Sequence, residues 1–236
     1  MASDKLTSLR QLSEDRFVFG KSETLLEQGL TQGAAWRDFQ DFFNSLPIDE
    51  HMNDGGTYRQ RRFGRFAYSV ADAELIHQAH KPYIQPKYFN PLNGGIPRNF
   101  APLTPAMVVN EITQCLLKNL ARTYSAIEGQ ASWRINTYFN RILASANQIG
   151  KPVPEGMHRD GMKFSCLFMV NAVNFSGGET TLFDLISHKP IFQGRLSEGG
   201  QMLIFRDDTV LHDTTSIRPI DTNKKSYRDV LVIEFY

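Results

Sequence analysis

The sequence predicts a mainly β protein, a jelly roll with α-helices packed on one of its sheets. Three observations predict it. Two segments before residue 130 carry apolar residues at spacings of three and four, as amphipathic helices do. Seven short β-rich runs separated by turn residues follow them. Strands and helices do not alternate, which argues against a parallel α/β sheet.

The chain has 236 residues, with no evident linker, repeat or low-complexity tract. This suits a single domain with two unequal parts, a helical and extended part over 1–130 and a jelly-roll core over 131–236. Lysine plus arginine total 26 and aspartate plus glutamate 25, a net charge of +1. Such a balance excludes neither fold nor catalysis, but it argues against nucleic acid or an anionic membrane surface as partner. Met1–Leu30 shows no basic segment followed by an apolar one, so no secretory signal is expected. The longest apolar runs, such as Cys166–Val170, are far too short to span a bilayer. Cys115 and Cys166 lie far apart inside apolar runs and read as free thiols in a reducing compartment. A soluble cytoplasmic protein is expected.

The elements follow in order. From Ala35 to Leu46, Trp36, Phe39, Phe42, Phe43 and Leu46 mark one helical face, and Pro47 stops it. Thr57–Val70 mixes aromatics with Arg59, Arg61, Arg62 and Arg65, and reads as a strand pair or hairpin with Gly64 at a kink or bulge. His77 and His80 fall on a probable helix as surface residues, and Lys81–Pro105, rich in Pro, Gly and Asn, is an extended loop. Pro105–Ile127 is a single helix, with Thr104 as N-cap and Pro105 at the first position, where its missing N–H is no loss. The seven strands are Trp133–Ser145, Lys163–Asn171, Glu179–Leu185, Lys189–Gln193, Gly200–Arg206, Thr209–Thr215 and Arg228–Tyr236.

The chemistry concentrates in Pro154-Glu155-Gly156-Met157-His158-Arg159-Asp160-Gly161. His158 and Asp160 are two residues apart where the chain enters a strand, so both side chains point to one face. His212, on a later strand, is the candidate third ligand. Two imidazoles and a carboxylate that leave positions open suit non-heme iron(II). Structural zinc would use four ligands, usually including thiolates, and neither cysteine is placed for that. His51, beside Asp49-Glu50, and His188, at a turn, read as solvated. Arg228 opens the apolar C-terminal strand 16 positions after His212. A guanidinium there needs a partner, either Asp229 or Asp221 at the surface, or the carboxylate of a co-substrate held by two parallel hydrogen bonds.

His158-x-Asp160, His212 and Arg228 together resemble the iron(II)/2-oxoglutarate-dependent dioxygenases. The Pro154–Gly161 block, Gly177-Gly178-Glu179-Thr180, Tyr227-Arg228-Asp229-Val230-Leu231-Val232-Ile233 and the run Tyr58–Phe66 are similar to the subfamily of bacterial L-isoleucine 4-hydroxylases. The resemblance is recognised from about Tyr58 onward and is not recognised over Met1 to about Asn53. It implies a double-stranded β-helix, with iron(II) held by His158, Asp160 and His212, and 2-oxoglutarate chelating the metal with its distal carboxylate on Arg228. Dioxygen is the second co-substrate, ascorbate serves as reductant in vitro, and 2-oxoglutarate leaves as succinate while an aliphatic C–H is hydroxylated.

The substrate implied is a free amino acid, a small molecule, which needs an acceptor for its ammonium and donors for its carboxylate. Arg62, Tyr138 and Arg141 are the first candidates, with Arg59, Arg61, Arg65 and Asn140 beside them. An arginine-rich strand is equally explained by a solvated face with packed stems. Phe164, Phe168 and Phe205 line either a side-chain pocket or plain core. Two other readings stay open: the same oxidant used for desaturation or oxidative ring closure, and a jelly-roll binding module without catalysis.

Overall fold

The computed structural model describes residues 11–24, 31–90 and 92–236. The reading of Met1–Leu30 as free of a secretory signal falls largely outside the described residues. Among the described residues, twelve β-strands and three complete α-helices are formed. Seven strands make the major sheet. In spatial order they are β1 (Phe17–Lys21), β9 (Gln201–Phe205), β5 (Phe164–Val173), β12 (Ser226–Phe235), β4 (Ser132–Ala144), β2 (Arg59–Ser69) and β3 (Glu74–His77). Facing it are β10 (Val210–Thr214), β7 (Glu179–Asp184) and β8 (Pro190–Arg195), with a short pair of β11 (Ile217–Pro219) and β6 (Phe175–Gly177). All pairings between named strands are antiparallel, and the neighbours in sequence are seldom neighbours in the sheet, as a jelly roll requires. All seven anticipated strands are present.

The helices are α1 (Gly33–Asp41), continued by a 3-10 turn over Phe42–Ser45, then α2 (Pro105–Val109) and α3 (Glu111–Glu128). Thr104 caps α2, its hydroxyl accepting from the Met107 N–H at 3.3 Å. The single helix expected over Pro105–Ile127 is broken at Asn110. Its extended backbone (ψ 135°) ends α2, and its side chain accepts from the Ile112 and Thr113 N–H groups to start α3. An Asn competes with the helix for its own backbone and is better used as a cap. Gly129, in the left-handed region (φ 68°), closes α3. Ile112, Leu116, Leu120 and Tyr124 lie on the buried stripe of α3, and Tyr124 stacks flat on Phe164 with centroids 4.2 Å apart.

Thr57–Val70 is not a hairpin. It holds one straight strand, β2, paired with β4 without a register shift through Gly64↔Thr137. Gly64 is small because Leu103 crosses it: a Cβ there would sit 2.5 Å from Leu103 Cδ1. His77 ends a strand rather than lying on a helix, and His80 is exposed beyond it. β1, β2 and β3 join the same sheet as the later strands, so the N-terminal part is woven into the roll instead of merely covering it.

The register of the central strands sorts their side chains between two cores. One set of rows is Arg59–Ile142–Arg228, Arg61–Asn140–Val230 and Phe63–Tyr138–Val232–Leu167, crossing β2, β4, β12 and, in the last row, β5. These face the interior of the roll. The alternate rows, Arg62–Phe139–Leu231–Phe168 and Phe66–Ile135–Phe235–Phe164, face the helices and build the larger core with Phe39, Phe43 and Leu117. Strand alternation alone decides which residues reach the interior.

Candidate metal centre and its cavity

His158 lies in the segment before β5. It pairs across to β10 through two backbone bonds, His158 N–H to His212 O at 3.0 Å and His212 N–H to His158 O at 2.7 Å. That bridge sets the two imidazoles side by side, with centroids 4.4 Å apart. Asp160 Oδ1 stands 3.5 Å from His158 Nε2, and Asp160 Oδ2 3.7 Å from His212 Nε2. One ligand atom from each of the three lies within 4.8 Å of the others, a donor set that suits a small divalent cation.

The supporting contacts are specific. His158 Nδ1 is 2.8 Å from the Gly156 carbonyl, which fixes the tautomer that leaves Nε2 free as a ligand. The Asp160 N–H and Met162 N–H both donate to the fully buried Asp207 carboxylate, at 2.9 and 2.8 Å. Asp207 Oδ1 also stands 3.9 Å from His212 Nδ1. Gly161 between them is left-handed (φ 82°) and a Cβ there would run into the Phe89 ring, so no other residue fits the turn that brings Asp160 round.

Electrostatics leave the triad ready for a cation. Burial pushes the Asp160 carboxyl up, but its hydrogen bond with His158 and the nearby imidazole charges hold it at about 2. Burial and the His158 charge press His212 down to about 4, so its ring is neutral at neutral pH. Burial lowers His158 too, yet the bond to Asp160 and the charges of Asp160 and Glu155 bring it to about 9. A metal entering the site must displace that proton.

The triad opens on a cavity that Arg228 also lines. Arg228 is buried, and among the described residues its Nε and Nη2 have no hydrogen-bond partner. Burial lowers it to about 10, still charged at neutral pH. Neither Asp229 nor Asp221 pairs with it. Asp229 is bound on the other face of the sheet by Arg141, through bonds of 2.7 and 2.8 Å. A buried guanidinium with free donors beside a triad that could hold a metal fits the carboxylate of a chelating co-substrate.

Of the other expected contacts, Tyr138 and Asn140 line the cavity, with Arg59 and Arg61. The Tyr138 hydroxyl donates to Glu234 at 3.0 Å, and the Arg61 Nε donates to Asn140 at 2.9 Å. Arg62 and Arg141 are not brought there. Both lie in the rows that face the helices, Arg62 donating to the Pro102 carbonyl at 2.7 Å and Arg141 tied to Asp229 and to Asn44. Arg65 bonds the Ala79 carbonyl away from the cavity. Phe164 and Phe168 are helix-side core, and Phe205 packs on the His212 ring at 5.1 Å. Sequence reasoning overlooked Gln85, Asn90 and Arg98, which come from the 81–105 loop, and Glu155, Asp207 and Glu234. Gln85 donates to the Asp160 carbonyl at 3.0 Å and Asn90 to Glu155 at 2.9 Å. Glu155 stood in plain view inside the metal-site block; the loop residues carry no local signal.

Comparison with known proteins agrees with this geometry. The family described as 2OG-Fe dioxygenase matches residues 40–234. The chain is 30% identical to the 3(1)-hydroxy-L-isoleucine 4-dioxygenase of Pantoea ananatis (strain AJ13355), over 69% of this chain and 66% of that protein. It thus spans just under two thirds of that relative's length. A BsmA homologue from Methylobium petroleophilum PM1 is similar in structure with a TM-score of 0.88 and 28% identity, over 98% of this chain and 92% of that one. IDO from Bacillus thuringiensis gives 0.82 at 18% identity over 98% of both chains, a likeness of fold.

Proposed function

The chain belongs to the 2OG-Fe dioxygenase family, and from that premise we propose that it hydroxylates an aliphatic C–H of a free, isoleucine-like L-amino acid while 2-oxoglutarate is decarboxylated to succinate. His158 Nε2, a carboxylate oxygen of Asp160 and His212 Nε2 would hold iron(II), and Arg228 would grip the distal carboxylate of 2-oxoglutarate. The bound metal, with 2-oxoglutarate and dioxygen, supplies the oxidising power that no side chain has. The chain's own residues fix the ligands and shield the site. Gly156 orients His158, Asp207 anchors the turn carrying Asp160, and Leu167, Val230 and Val232 give the cavity an apolar floor.

The observation that carries this reading is the pairing, in one cavity, of three convergent ligand atoms with a buried guanidinium whose Nε and Nη2 have no partner among the described residues. The amino-acid substrate is supported by the activity named for the Pantoea relative and by the charged cavity wall. The proposed site draws on β2, β4, β10 and β12 at once, which supports a single catalytic domain. The buried thiol of Cys166 supports a reducing, cytoplasmic setting; no helix among the described residues is long and apolar enough to cross a membrane.

The test is a panel of L-amino acids incubated with protein, iron(II), ascorbate and 2-oxoglutarate, followed by mass spectrometry. A product heavier by one oxygen, formed with succinate and only when 2-oxoglutarate is present, is the expected result. Loss of two hydrogens would replace hydroxylation by desaturation or ring closure. No turnover, with no iron bound in titration, would leave a binding module.

A further inference from the structure

Beside the triad lies a second group of unsatisfied atoms. Among the described residues Glu155 Oε2, Arg59 Nη2 and Arg98 Nε are buried without a hydrogen-bond partner. All three side chains line the same cavity as His158, Asp160 and His212. Arg59 and Arg98 are each 4% exposed, and the Glu155 side chain 10%. Leaving one buried charged group unpaired is costly, and here groups of both signs share one space.

Their other atoms are tied down. Glu155 Oε1 accepts from Asn90 at 2.9 Å and stands 3.9 Å from His158 Nε2. Arg59 Nε donates to Asp49 at 2.8 Å. Arg98 Nη2 donates to Gln85 at 3.3 Å, and its guanidinium lies 5.0 Å over the Tyr83 ring. Each side chain is therefore held in place with an unused acceptor or donor, the arrangement of a preorganised receptor. An acceptor next to the candidate metal ligands and two donors in the same cavity call for a ligand that brings an ammonium and a carboxylate together. Arg59 and Arg228 share a row with Ile142 between them, so their backbones start two strand spacings or roughly 9–10 Å apart.

We infer that Glu155, Arg59 and Arg98 form the head-group subsite for the amino-acid substrate, Glu155 taking its α-ammonium and the two arginines its α-carboxylate. This rests on the oxygenase reading and assigns specificity within it: amines and simple carboxylic acids with the same side chain are rejected because each leaves one half of the subsite unpaired.

Anaerobic calorimetry tests it, with Mn(II) in place of iron, saturating 2-oxoglutarate, and the twenty common L-amino acids as probes. The tightest binder is then compared with its deaminated acid and its decarboxylated amine. The wild type is expected to bind both analogues at least about tenfold more weakly, the order of one charged hydrogen bond. Glu155→Gln should weaken the amino acid about tenfold or more but not the deaminated acid, and Arg98→Gln should weaken the amino acid but not the amine. Wild type that binds Mn(II) and 2-oxoglutarate but no amino acid, or that binds the analogues equally well, overturns the subsite and leaves the oxygenase reading standing. So does a Glu155→Gln protein with unchanged ligand ratios, or one whose only loss is in Mn(II) affinity. Wild type that takes up neither Mn(II) nor 2-oxoglutarate brings down the oxygenase reading and this inference together.

Discussion

At Arg228 a charge is buried with two of its nitrogens unbonded among the described residues, and that cost can be measured. Replacing it by methionine removes an uncompensated guanidinium from the interior, so Arg228→Met should melt at or above the wild-type temperature in the absence of ligands. The same change should raise the KM for 2-oxoglutarate at least about 100-fold, the order expected for losing some 3 kcal/mol of paired charge. An unchanged KM would assign the residue another partner. His158→Ala and Asp160→Ala should abolish succinate formation and retain the cooperative melt of the wild type, because both lie beside the cavity instead of in the main core; a variant with wild-type turnover would drop that residue from the ligand set. The ligand types and Arg228 were legible at this scale because chemistry restricts them: few residues bind iron, and an arginine heading an apolar strand is out of place. Asp207 was not legible, since its role is to accept two backbone N–H groups that only the folded turn brings to it.

Between elements the governing quantity is strand register. Arg61 and Arg62 are neighbours in sequence, yet one lines the cavity and the other faces the helices, because side chains alternate across a strand. The arginine run was readable, but the parity that selects Arg59 and Arg61 over Arg62 depends on pairing with β4 and β12. The same pairing sends Tyr138 inward and Arg141 outward. Gly64 marks another such contact. Gly64→Ala should destabilise the protein by about 1–3 kcal/mol in urea unfolding, because the added methyl meets Leu103; a neutral effect would mean that Leu103 yields freely. At Asn110 the capping oxygen is the point, and Asn110→Ala should cost about 1 kcal/mol while Asn110→Asp costs little.

On the scale of the whole molecule, the segment before β2 is tied to the cavity wall by one buried acid. Asp49 Oδ2 accepts from Arg59 Nε at 2.8 Å and lies 3.5 Å from Arg61 Nε. Burial pushes this carboxyl up, but the charges of Arg61 and Arg59 and the bond from the His51 N–H outweigh it, holding it below the ordinary carboxylate range. Its folded-state pKa is depressed, so the stability it contributes is full above the unfolded-state value and fades as pH falls through the folded one. Asp49→Asn should therefore cost about 3 kcal/mol at pH 7, and the gap to wild type should narrow below about pH 4 in denaturant melts. A gap independent of pH would show that Asp49 acts by packing alone.

The amino-acid order by itself determined the β-rich character of the second half, the helical stripes of the first, the choice of His158, Asp160 and His212 as candidate ligands, and the oddity of Arg228. Each is a local matter of periodicity, composition or residue type. Only the tertiary structure decided which arginines turn inward, that Gln85, Asn90 and Arg98 reach the cavity from a loop, and that Glu155 keeps an oxygen free there. Those outcomes follow from the register between strands distant in sequence and from where a long connection comes to rest, and no short window of residues encodes either.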